Sequence, residues 1–440
     1  KNKIMILLGL LFLPLMASAQ WTQDTTFVPA ESDFFVEIHG IAVDPDGKVW
    51  LQPFGTSEAI AVNRDLGDDG VPDTLNTRAI YVYNPDGTPA DFSPITVIEY
   101  ADGTTPNDTL GLVWTGEAYE GYSGRGMETN IGNGNIIVSQ YDRVYVLDYQ
   151  TGKGLAMVEP GIGSLAEASS DAAGNIYVSA VVATDAPIKK YDSNLANPTD
   201  EVTLTSGFSR DFQVSEDGNT IWWAGYTGPG VLKYTKPDEF SGFGAVPDTV
   251  LRGIKAESFD IHPKTKHLWV GSGSLNDLPA EPYLPQTWYA FDYATLDEPV
   301  DSITWVAGGG DLFDQARPRA LDFTEDGQTA YVGAFSAAET VVDAQKFTTT
   351  QLYTSNEDNG FEIPQGFSLE QNYPNPFNPS TTINYSLNQT GKVTLKVYDI
   401  TGREVATLVN STQSAGAQSV SFDAANLASG VYIYTLQANG

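Results

Sequence analysis

The 440-residue chain contains no cysteine and only three histidines. Without cysteine, neither disulfide bonds nor thiol catalysis can operate, and so few histidines argue against a histidine-rich metal centre. Cations are also scarce, with 23 Lys and Arg against 56 Asp and Glu, for a formal net charge of −33. Nucleic acids and anionic membrane surfaces are bound through clustered cations, so we expect neither as a partner.

Motifs of several common enzyme classes are missing as well. The sequence has no GxSxG nucleophile elbow, no Walker phosphate loop, no HExxH zinc motif and no CxxC pair. His262 and His267 flank a predicted turn, where we expect both side chains to face solvent. The sequence therefore indicates no specific reaction, and it favours a binding protein over an enzyme.

The N-terminus carries a short apolar run. Residues 4–16 are apolar and follow Lys1 and Lys3, and the small residues Ala17-Ser18-Ala19 come next. This pattern is typical of a secretory signal peptide, and the run is too short to span a bilayer. We predict that residues 1–19 are the signal peptide and that the mature chain has no transmembrane span; a retained anchor helix is the alternative.

Glycine, proline and aromatic residues are plentiful, and they mark a repeated hairpin. Gly40–Trp50 is predicted to form a strand, an Asp-Pro-Asp-Gly turn and a second strand, because β-favouring residues flank turn-forming ones. Five variants follow, at residues 131–139, 170–179, 212–223, 259–270 and 321–332. Repetition of one small unit is typical of solenoids and propellers, although the spacing between the copies is uneven.

A third β-favouring run follows each hairpin, and a fourth follows most of them. Six four-stranded units predict an all-β fold, a six-bladed β-propeller over residues 20–352. Seven blades, an open solenoid or two sandwiches are the alternatives. The sixth unit has no fourth strand of its own, and residues 25–28 are expected to supply it and close the ring. The first hairpin resembles those of NHL-repeat, virginiamycin-lyase and gluconolactonase propellers, a likeness of fold that says little about function.

The last part of the chain differs in composition. We predict a polar, acidic linker at residues 353–366 and a small immunoglobulin-like β-sandwich at residues 367–440. Three of its elements are the PNPF, YDxxGR and SGxYxY sequences at Pro374–Phe377, Tyr398–Arg403 and Ser429–Tyr434. Together they resemble the type A C-terminal sorting domain of the bacterial type IX secretion system. A purely structural adhesion module is the alternative.

The resemblance implies a cellular address. Domains of this type direct export by the type IX secretion machinery, are removed by a sortase-like peptidase, and often lead to attachment to surface lipopolysaccharide. We therefore expect a secreted protein of a Gram-negative bacterium, free or anchored to the outer-membrane surface. Such domains usually end in a basic strand, and the sequence stops at Gly440 before one, so we expect this domain to be truncated.

An acidic loop in the first unit matches part of a calcium-binding pattern. Four aspartates surround a glycine in this loop: Asp65, Asp68, Asp69 and Asp73. Calcium prefers several oxygen ligands on a tightly turning loop. The stretch resembles the DxDxDGxxD loops of dockerin-like and thrombospondin type 3 repeats, although Gly67 stands where those loops have Asp. We predict a structural Ca²⁺ here, with a solvated acidic loop as the alternative.

One position just before each inner strand varies from repeat to repeat. Its occupants are His39, Arg125, Glu167, Arg210, Glu257 and Arg319. In a propeller these strand starts converge on the mouth of the central channel, and the arginine fork suits a carboxylate or phosphate. We predict a ligand site there. The alternative is a ring of Arg–Glu pairs that only joins the blades.

Five tryptophans occupy predicted strands: Trp222, Trp223, Trp269, Trp288 and Trp305. At such positions we expect them to fill the core between blades rather than to form a sugar-stacking surface.

Two functions remain open at this point. The first is a secreted or surface-attached binding propeller whose ligand is a glycan, a peptide or a small anion. The second is a lyase or lactonase-type hydrolase that acts on an anionic substrate at the channel mouth. In the second, Arg125, Arg210 and Arg319 would hold the anion, and His39 with Glu257 or Glu167 would move protons.

Overall fold

The computed structural model divides the chain into two compact units, Lys1–Leu352 and Tyr353–Gly440. It describes residues 21–27, 37–55, 58–61, 74–183, 185–204, 207–237, 241–274, 283–306, 316–335 and 344–351 of the first, and residues 368–369, 379–387, 391–399, 403–413, 416–424, 427 and 430–439 of the second. The predicted signal peptide lies outside these residues. Within them the regular secondary structure is all β, and no helix is long and apolar enough to cross a membrane.

Most strands belong to the first unit. They are β1 (Thr22–Asp24), β2 (Ile38–Val43), β3 (Val49–Pro53), β4 (Ala59–Ala61), β5 (Thr74–Asn76), β6 (Tyr81–Tyr83), β7 (Val97–Ile98), β8 (Asp108–Thr109), β9 (Leu112–Trp114), β10 (Tyr119–Gly121), β11 (Gly124–Thr129), β12 (Ile136–Gln140), β13 (Val144–Leu147), β14 (Gly154–Val158), β15 (Ser169–Ser170), β16 (Ile176–Val178), β17 (Val182–Ala183), β18 (Ala186–Tyr191), β19 (Thr199–Leu204), β20 (Gly207–Phe208), β21 (Phe212–Val214), β22 (Thr220–Trp223), β23 (Val231–Thr235), β24 (Asp248–Val250), β25 (Ser258–Ile261), β26 (Leu268–Gly271), β27 (Thr287–Phe291), β28 (Asp301–Thr304), β29 (Arg317–Phe323), β30 (Thr329–Phe335) and β31 (Ala344–Thr348). The second unit contains β32 (Ser368–Leu369), β33 (Ser380–Leu387), β34 (Gly391–Asp399), β35 (Glu404–Gln413), β36 (Gly416–Asp423) and β37 (Tyr432–Asn439).

The first unit is a β-propeller, as predicted. In the described part of the chain its repeats form six antiparallel sheets, ordered β2-β3-β6, β11-β12-β13-β14, β15-β16-β18-β19, β21-β22-β23-β24, β25-β26-β27-β28 and β1-β31-β30-β29. The first strand of each repeat lies innermost. These inner strands contact one another in chain order, and β29 contacts β2, so the sheets form a closed ring around a central channel.

The ring is closed by a strand from the start of the chain. β1 pairs antiparallel with β31, and the register places Thr22 opposite Thr348. The expectation that an upstream strand completes the last sheet is therefore confirmed, but the strand precedes the predicted residues 25–28. Closure of this kind leaves fewer open strand edges for aggregation.

The turn inside each hairpin is held by the side chain at its first position. In the first repeat, Asp44 Oδ1 accepts a hydrogen bond from the Lys48 backbone N–H at 2.9 Å, and Asp44 Oδ2 accepts one from Trp50 Nε1 at 3.0 Å. Gly47 has a φ of 78°, which glycine adopts without strain. The Asp-Pro-Asp-Gly stretch thus fixes the register of the two strands that it joins.

The equivalent position in the fifth repeat is occupied by His262, which corrects one expectation. Its Nδ1 accepts a hydrogen bond from the Thr265 backbone N–H at 3.1 Å, and its Nε2 lies 3.0 Å from the carbonyl oxygen of Gly327. The side chain is 1% exposed. The prediction that His262 faces solvent is wrong, because this imidazole replaces the aspartate that holds the turn.

The large aromatic side chains lie between the sheets. All five tryptophans singled out above are buried, as predicted for core residues. Trp269, Trp288 and Trp305 share one hydrophobic cluster with Phe323 of β29 and Phe347 of β31. They therefore join the fifth sheet to the sixth and are not free to stack on a sugar.

The inner strands approach so closely that some positions accept only glycine. A Cβ atom on Gly40 of β2 would lie 2.5 Å from the Met127 backbone nitrogen and 2.8 Å from the Gly126 carbonyl carbon. We expect Gly40→Ala to lower the free energy of unfolding by about 1–3 kcal/mol, measured by chemical denaturation. Gly242→Ala is the matched control, because nothing lies within 4 Å of a Cβ there. Equal stability of the two variants would contradict this packing.

The second unit contains two three-stranded antiparallel sheets, ordered β32-β33-β36 and β35-β34-β37. Buried side chains from β33, β34 and β36 form a single core: Ile383, Tyr385, Val393, Leu395, Val397 and Phe422. The alternating residues of β34 point to one side, as the sequence pattern predicts. The predicted linker lies outside the described residues.

Candidate ligand site at the channel mouth

Five of the six predicted mouth residues lie together where the inner strands begin. We call this set the arginine layer; its members are His39, Arg125, Arg210, Glu257 and Arg319. They come from five different repeats, and all three arginines act electrostatically on His39. Aligning the repeats therefore identifies a real three-dimensional cluster.

One side of the arginine layer is neutralised. Arg319 Nη1 lies 2.7 Å from Glu257 Oε2, and Arg317 Nε lies 3.5 Å from Glu257 Oε1. The side chains of Arg319 and Glu257 are 5% and 2% exposed, so their pair is deeply buried. This part of the layer fits the alternative in which Arg–Glu pairs join the blades.

The other side is not neutralised. Neither Arg125 nor Arg210 forms an ion pair with a residue that the structure describes. The Arg125 guanidinium carbon lies 5.2 Å from the ring centre of Tyr141, and that of Arg210 lies 4.8 Å from the ring centre of Phe208. Cation–π contacts of this kind hold a guanidinium in place without cancelling its charge.

Burial is the main cause of the lowered pKa values of these two arginines. Burial, followed by repulsion from Arg319 and Arg125, lowers the pKa of Arg210 to about 10. The pKa of Arg125 is lowered too, again mainly by burial. Both guanidiniums stay charged at neutral pH, and among the described residues no carboxylate forms an ion pair with either of them.

His39 is enclosed by aromatic rings and carries no charge at neutral pH. Its ring centre is 4.6 Å from that of Phe54 and 5.1 Å from that of Phe335, and the residue is 2% exposed. Burial first, and then repulsion from the three arginines, places the pKa of His39 well below its ordinary value. Among the described residues, its Nε2 has no hydrogen-bond partner.

The sixth predicted residue, Glu167, lies deeper in the channel. A Cβ on Gly126 would lie 2.5 Å from Glu167 Oε2, so this side chain lies over a neighbouring inner strand. Glu167 stands four residues before Asp171, the first residue of its turn, whereas His39 and Arg125 stand five residues before Asp44 and Asn130. The one-residue difference moves Glu167 out of the arginine layer.

Glu167 belongs to a second set of buried carboxylates, which we call the acidic layer. The set comprises Glu128, Glu167, Asp211, Asp260 and Asp322. Asp211 Oδ2 accepts a hydrogen bond from the Phe259 backbone N–H, and Asp322 Oδ2 accepts one from the Val43 N–H, both at 2.6 Å. Each of these bonds reaches the inner strand of the next sheet, so two of the carboxylates connect neighbouring blades.

The acidic layer holds protons at neutral pH. Burial raises the pKa of Glu128 to about 8, and it raises those of Asp211 and Asp322 to about 7. Burial together with repulsion from the other carboxylates places the pKa of Asp260 well above its ordinary value, and Asp260 Oδ2 has no hydrogen-bond partner. A cavity of about 420 Å³ adjoins this layer on the side of the hairpin turns.

Metal binding gains no support from the described residues, since no group of three or more His, Asp or Glu side chains there is placed to hold an ion. Asp65, Asp68, Asp69 and Asp73 lie outside the described residues, and the calcium loop stays a prediction.

A cleft beside the arginine layer was not expected from the sequence. It has a volume of about 510 Å³, and its lining includes Arg78, Arg125, Glu120, Tyr122 and Tyr141. We call it the side cleft. Repeat alignment points to strand starts and so misses it.

The aromatic residues around the arginine layer could have been predicted from their positions in the repeats. Phe54 and Tyr141 directly follow the second strands of the first two repeats, and Phe335 ends that of the sixth. The same three rings pack against His39, Arg125 or Arg319. An aromatic residue at the end of the second strand therefore marks the channel mouth.

Comparison with known proteins identifies the C-terminal part. Residues 371–440 match the family described as the secretion system C-terminal sorting domain. No curated protein matches the chain. The solved structure of a luciferin-regenerating enzyme aligns with 76% of this chain and 97% of its own, with a TM-score of 0.47 and 9% sequence identity, and nothing about activity follows from it.

The sorting domain shows that the protein is secreted. It marks proteins that leave the cell by the type IX secretion system, to the extracellular space or the cell surface, and it implies interaction with that machinery. The sequence-based expectation of a secreted protein is confirmed. The propeller is the part of the chain that carries the candidate ligand site.

Proposed function

We propose that this secreted β-propeller is a binding protein for a ligand that carries a carboxylate or a similar anion. One observation carries the proposal: Arg125 and Arg210 are partly buried, stay charged, and have no ion-pair partner among the described residues. An arginine fork accepts a carboxylate through two parallel hydrogen bonds. An anionic ligand would therefore supply the negative charge that the described residues do not place beside Arg125 and Arg210.

The high negative charge of the chain makes the lack of ion pairs at Arg125 and Arg210 informative about function. The chain carries a formal charge of −33, so acidic side chains are available almost everywhere. Arg143, by contrast, pairs with both Asp142 and Glu159. Arginines that are left unpaired in such a protein are better explained by a ligand than by a role in joining the sheets.

The enzymatic alternative has less support. His39 has an unpartnered Nε2, as a proton acceptor needs, but Phe54 and Phe335 enclose its ring. Glu257 is held by Arg319, and Glu167 lies in the acidic layer rather than beside the histidine. A proton-transfer group must reach its substrate within hydrogen-bonding distance, and these side chains do not converge on one accessible point.

The proposal is tested by calorimetric titration of the full chain with D-galacturonate, and with D-galactose as the uncharged counterpart. We expect galacturonate to bind and galactose not to bind. Arg210→Gln should weaken galacturonate binding by about 10-fold or more, because a hydrogen bond to a charged group is lost.

Arg252→Gln is the matched control, because it removes the same charge at an exposed position. It should leave the affinity unchanged. Equal binding of galactose, or equal affinities of the Arg210→Gln variant and the unaltered protein, would contradict the proposal.

A further inference from the structure

The side cleft contains a second arginine that is poised for a ligand. Arg78 lines it together with Arg125, and Arg78 Nε is buried without a hydrogen-bond partner. Arg78 forms no ion pair with a described residue. Two charged forks therefore face one cleft, and no carboxylate among the described residues pairs with either of them.

The Arg78 side chain is held by the backbone around it. A Cβ on Gly111 would lie 2.1 Å from Arg78 Cγ, and one on Gly121 would lie 3.5 Å from Arg78 Nη2. The absence of a side chain at Gly111 creates the space that the arginine stem occupies. Such confinement lowers the conformational entropy that Arg78 loses when a ligand binds.

Arg125 is held on the opposite side by a stack of rings. Its guanidinium lies over Tyr141, and Tyr141 stacks on Tyr122 with ring centres 5.1 Å apart and an angle of 25° between the planes. Arg143 lies over the far ring, 6.0 Å from the centre of Tyr122. The planar fork of Arg125 is thereby oriented before any ligand arrives.

The rest of the lining offers groups of a different kind. Glu120 is a hydrogen-bond acceptor in the cleft, and the Tyr122 hydroxyl donates to it weakly at 3.4 Å. A carboxylate on the wall repels a doubly charged phosphate more strongly than a singly charged carboxylate, and it accepts hydrogen bonds from hydroxyl groups. A ligand that combines one carboxylate with several hydroxyls fits this set. The volume of about 510 Å³ lies in the range of small-molecule sites.

We infer that the side cleft binds one hexuronate unit of an acidic polysaccharide. Arg78 and Arg125 receive the sugar carboxylate, and Glu120 and the Tyr122 hydroxyl bind ring hydroxyls. Because Arg125 belongs both to the cleft and to the arginine layer, an adjoining uronate unit reaches Arg210. The inference rests on the proposed function and names its ligand class.

The test compares trigalacturonate with galacturonate as probes, using the full chain and calorimetric titration. Trigalacturonate should bind at least 10-fold more tightly than the monosaccharide. Arg78→Gln should remove that gain, and Glu120→Gln should reduce the gain in part. Arg252→Gln should change neither affinity. Three further probes are titrated for comparison with trigalacturonate: uncharged galactotriose, sulfated galactotriose and triglutamate.

The outcomes separate this inference from the proposed function. If Arg78→Gln binds trigalacturonate as the unaltered protein does, the cleft assignment fails. Tighter binding of sulfated galactotriose or triglutamate would also overturn it, in favour of a sulfated glycan or an acidic peptide. If Arg210→Gln keeps full galacturonate affinity while Arg78→Gln loses trigalacturonate, the mouth proposal fails and the cleft assignment stands.

Discussion

The propeller should lose stability as the pH rises from 5.5 to 8.5. The carboxylates of the acidic layer have pKa values of about 7 or 8, or well above their ordinary values, in the folded protein, and values near 4 in an unfolded chain. Between those limits the folded state binds more protons than the unfolded state, so the free energy of unfolding falls as pH rises. Each unit of difference in a pKa is worth about 1.4 kcal/mol.

Thermal unfolding followed by tryptophan fluorescence measures this effect. We expect the midpoint to be lower at pH 8.5 than at pH 5.5 by about 5 °C or more. Asp260→Asn should weaken the dependence and raise the midpoint at pH 8.5, because it replaces a carboxylate whose Oδ2 lacks a partner. Glu117→Gln, at an exposed position, is the matched control. An Asp260→Asn profile parallel to that of the control would show that the acidic layer is not responsible.

Opening the ring should be the most damaging single change. Trp21 precedes the closing strand, packs edge-on against Trp269 at 6.0 Å, and donates a hydrogen bond from Nε1 to Asp301 at 2.9 Å. We expect Trp21→Ala to lower the free energy of unfolding by about 3 kcal/mol. It should also promote aggregation, because detachment of β1 exposes the edge of β31. Urea denaturation and light scattering measure the two effects.

Two comparisons make the closing test specific. Trp21→Phe keeps one aromatic ring but loses the hydrogen bond and part of the packing, so it should retain more of the stability than Trp21→Ala does. Trp114→Ala removes a partly exposed tryptophan from the two-stranded β9-β10 sheet, where Trp114 packs on Tyr119, and it should not promote aggregation. Scattering by Trp21→Ala no greater than that by Trp114→Ala would contradict the role of β1 as the closing strand.

Much of the fold could be predicted because its signals are local. The turn at Asp44 and Gly47 and the alternation around it specify a hairpin from eleven consecutive residues. Less regular parts were harder to predict. The first sheet has only three strands among the described residues, and Ile95 contributes a single bridge to Ile80 instead of a fourth strand.

The site could be predicted only in part. Counting back from the turns brought His39, Arg125, Arg210, Glu257 and Arg319 together, because equivalent positions in a closed ring converge. The counting placed Glu167 one residue out of register. It also said nothing about which arginine pairs with Glu257, or about the cleft beside Arg78. Those features depend on contacts between different repeats, which no local pattern encodes.

The positive charge at the channel mouth has a consequence for the speed of binding. The arginine layer lies where the inner strands begin, whereas the chain as a whole carries a formal charge of −33, so positive charge is concentrated at one end of the channel of a strongly acidic protein. An approaching anion is repelled by most of the surface and attracted at one end, which orients the encounter. Salt shortens the range of both forces. As ionic strength rises, screening of the surface repulsion should raise the association rate constant of an acidic ligand, and screening of the attraction at the mouth should lower it. The attraction near the mouth should persist to the highest ionic strength.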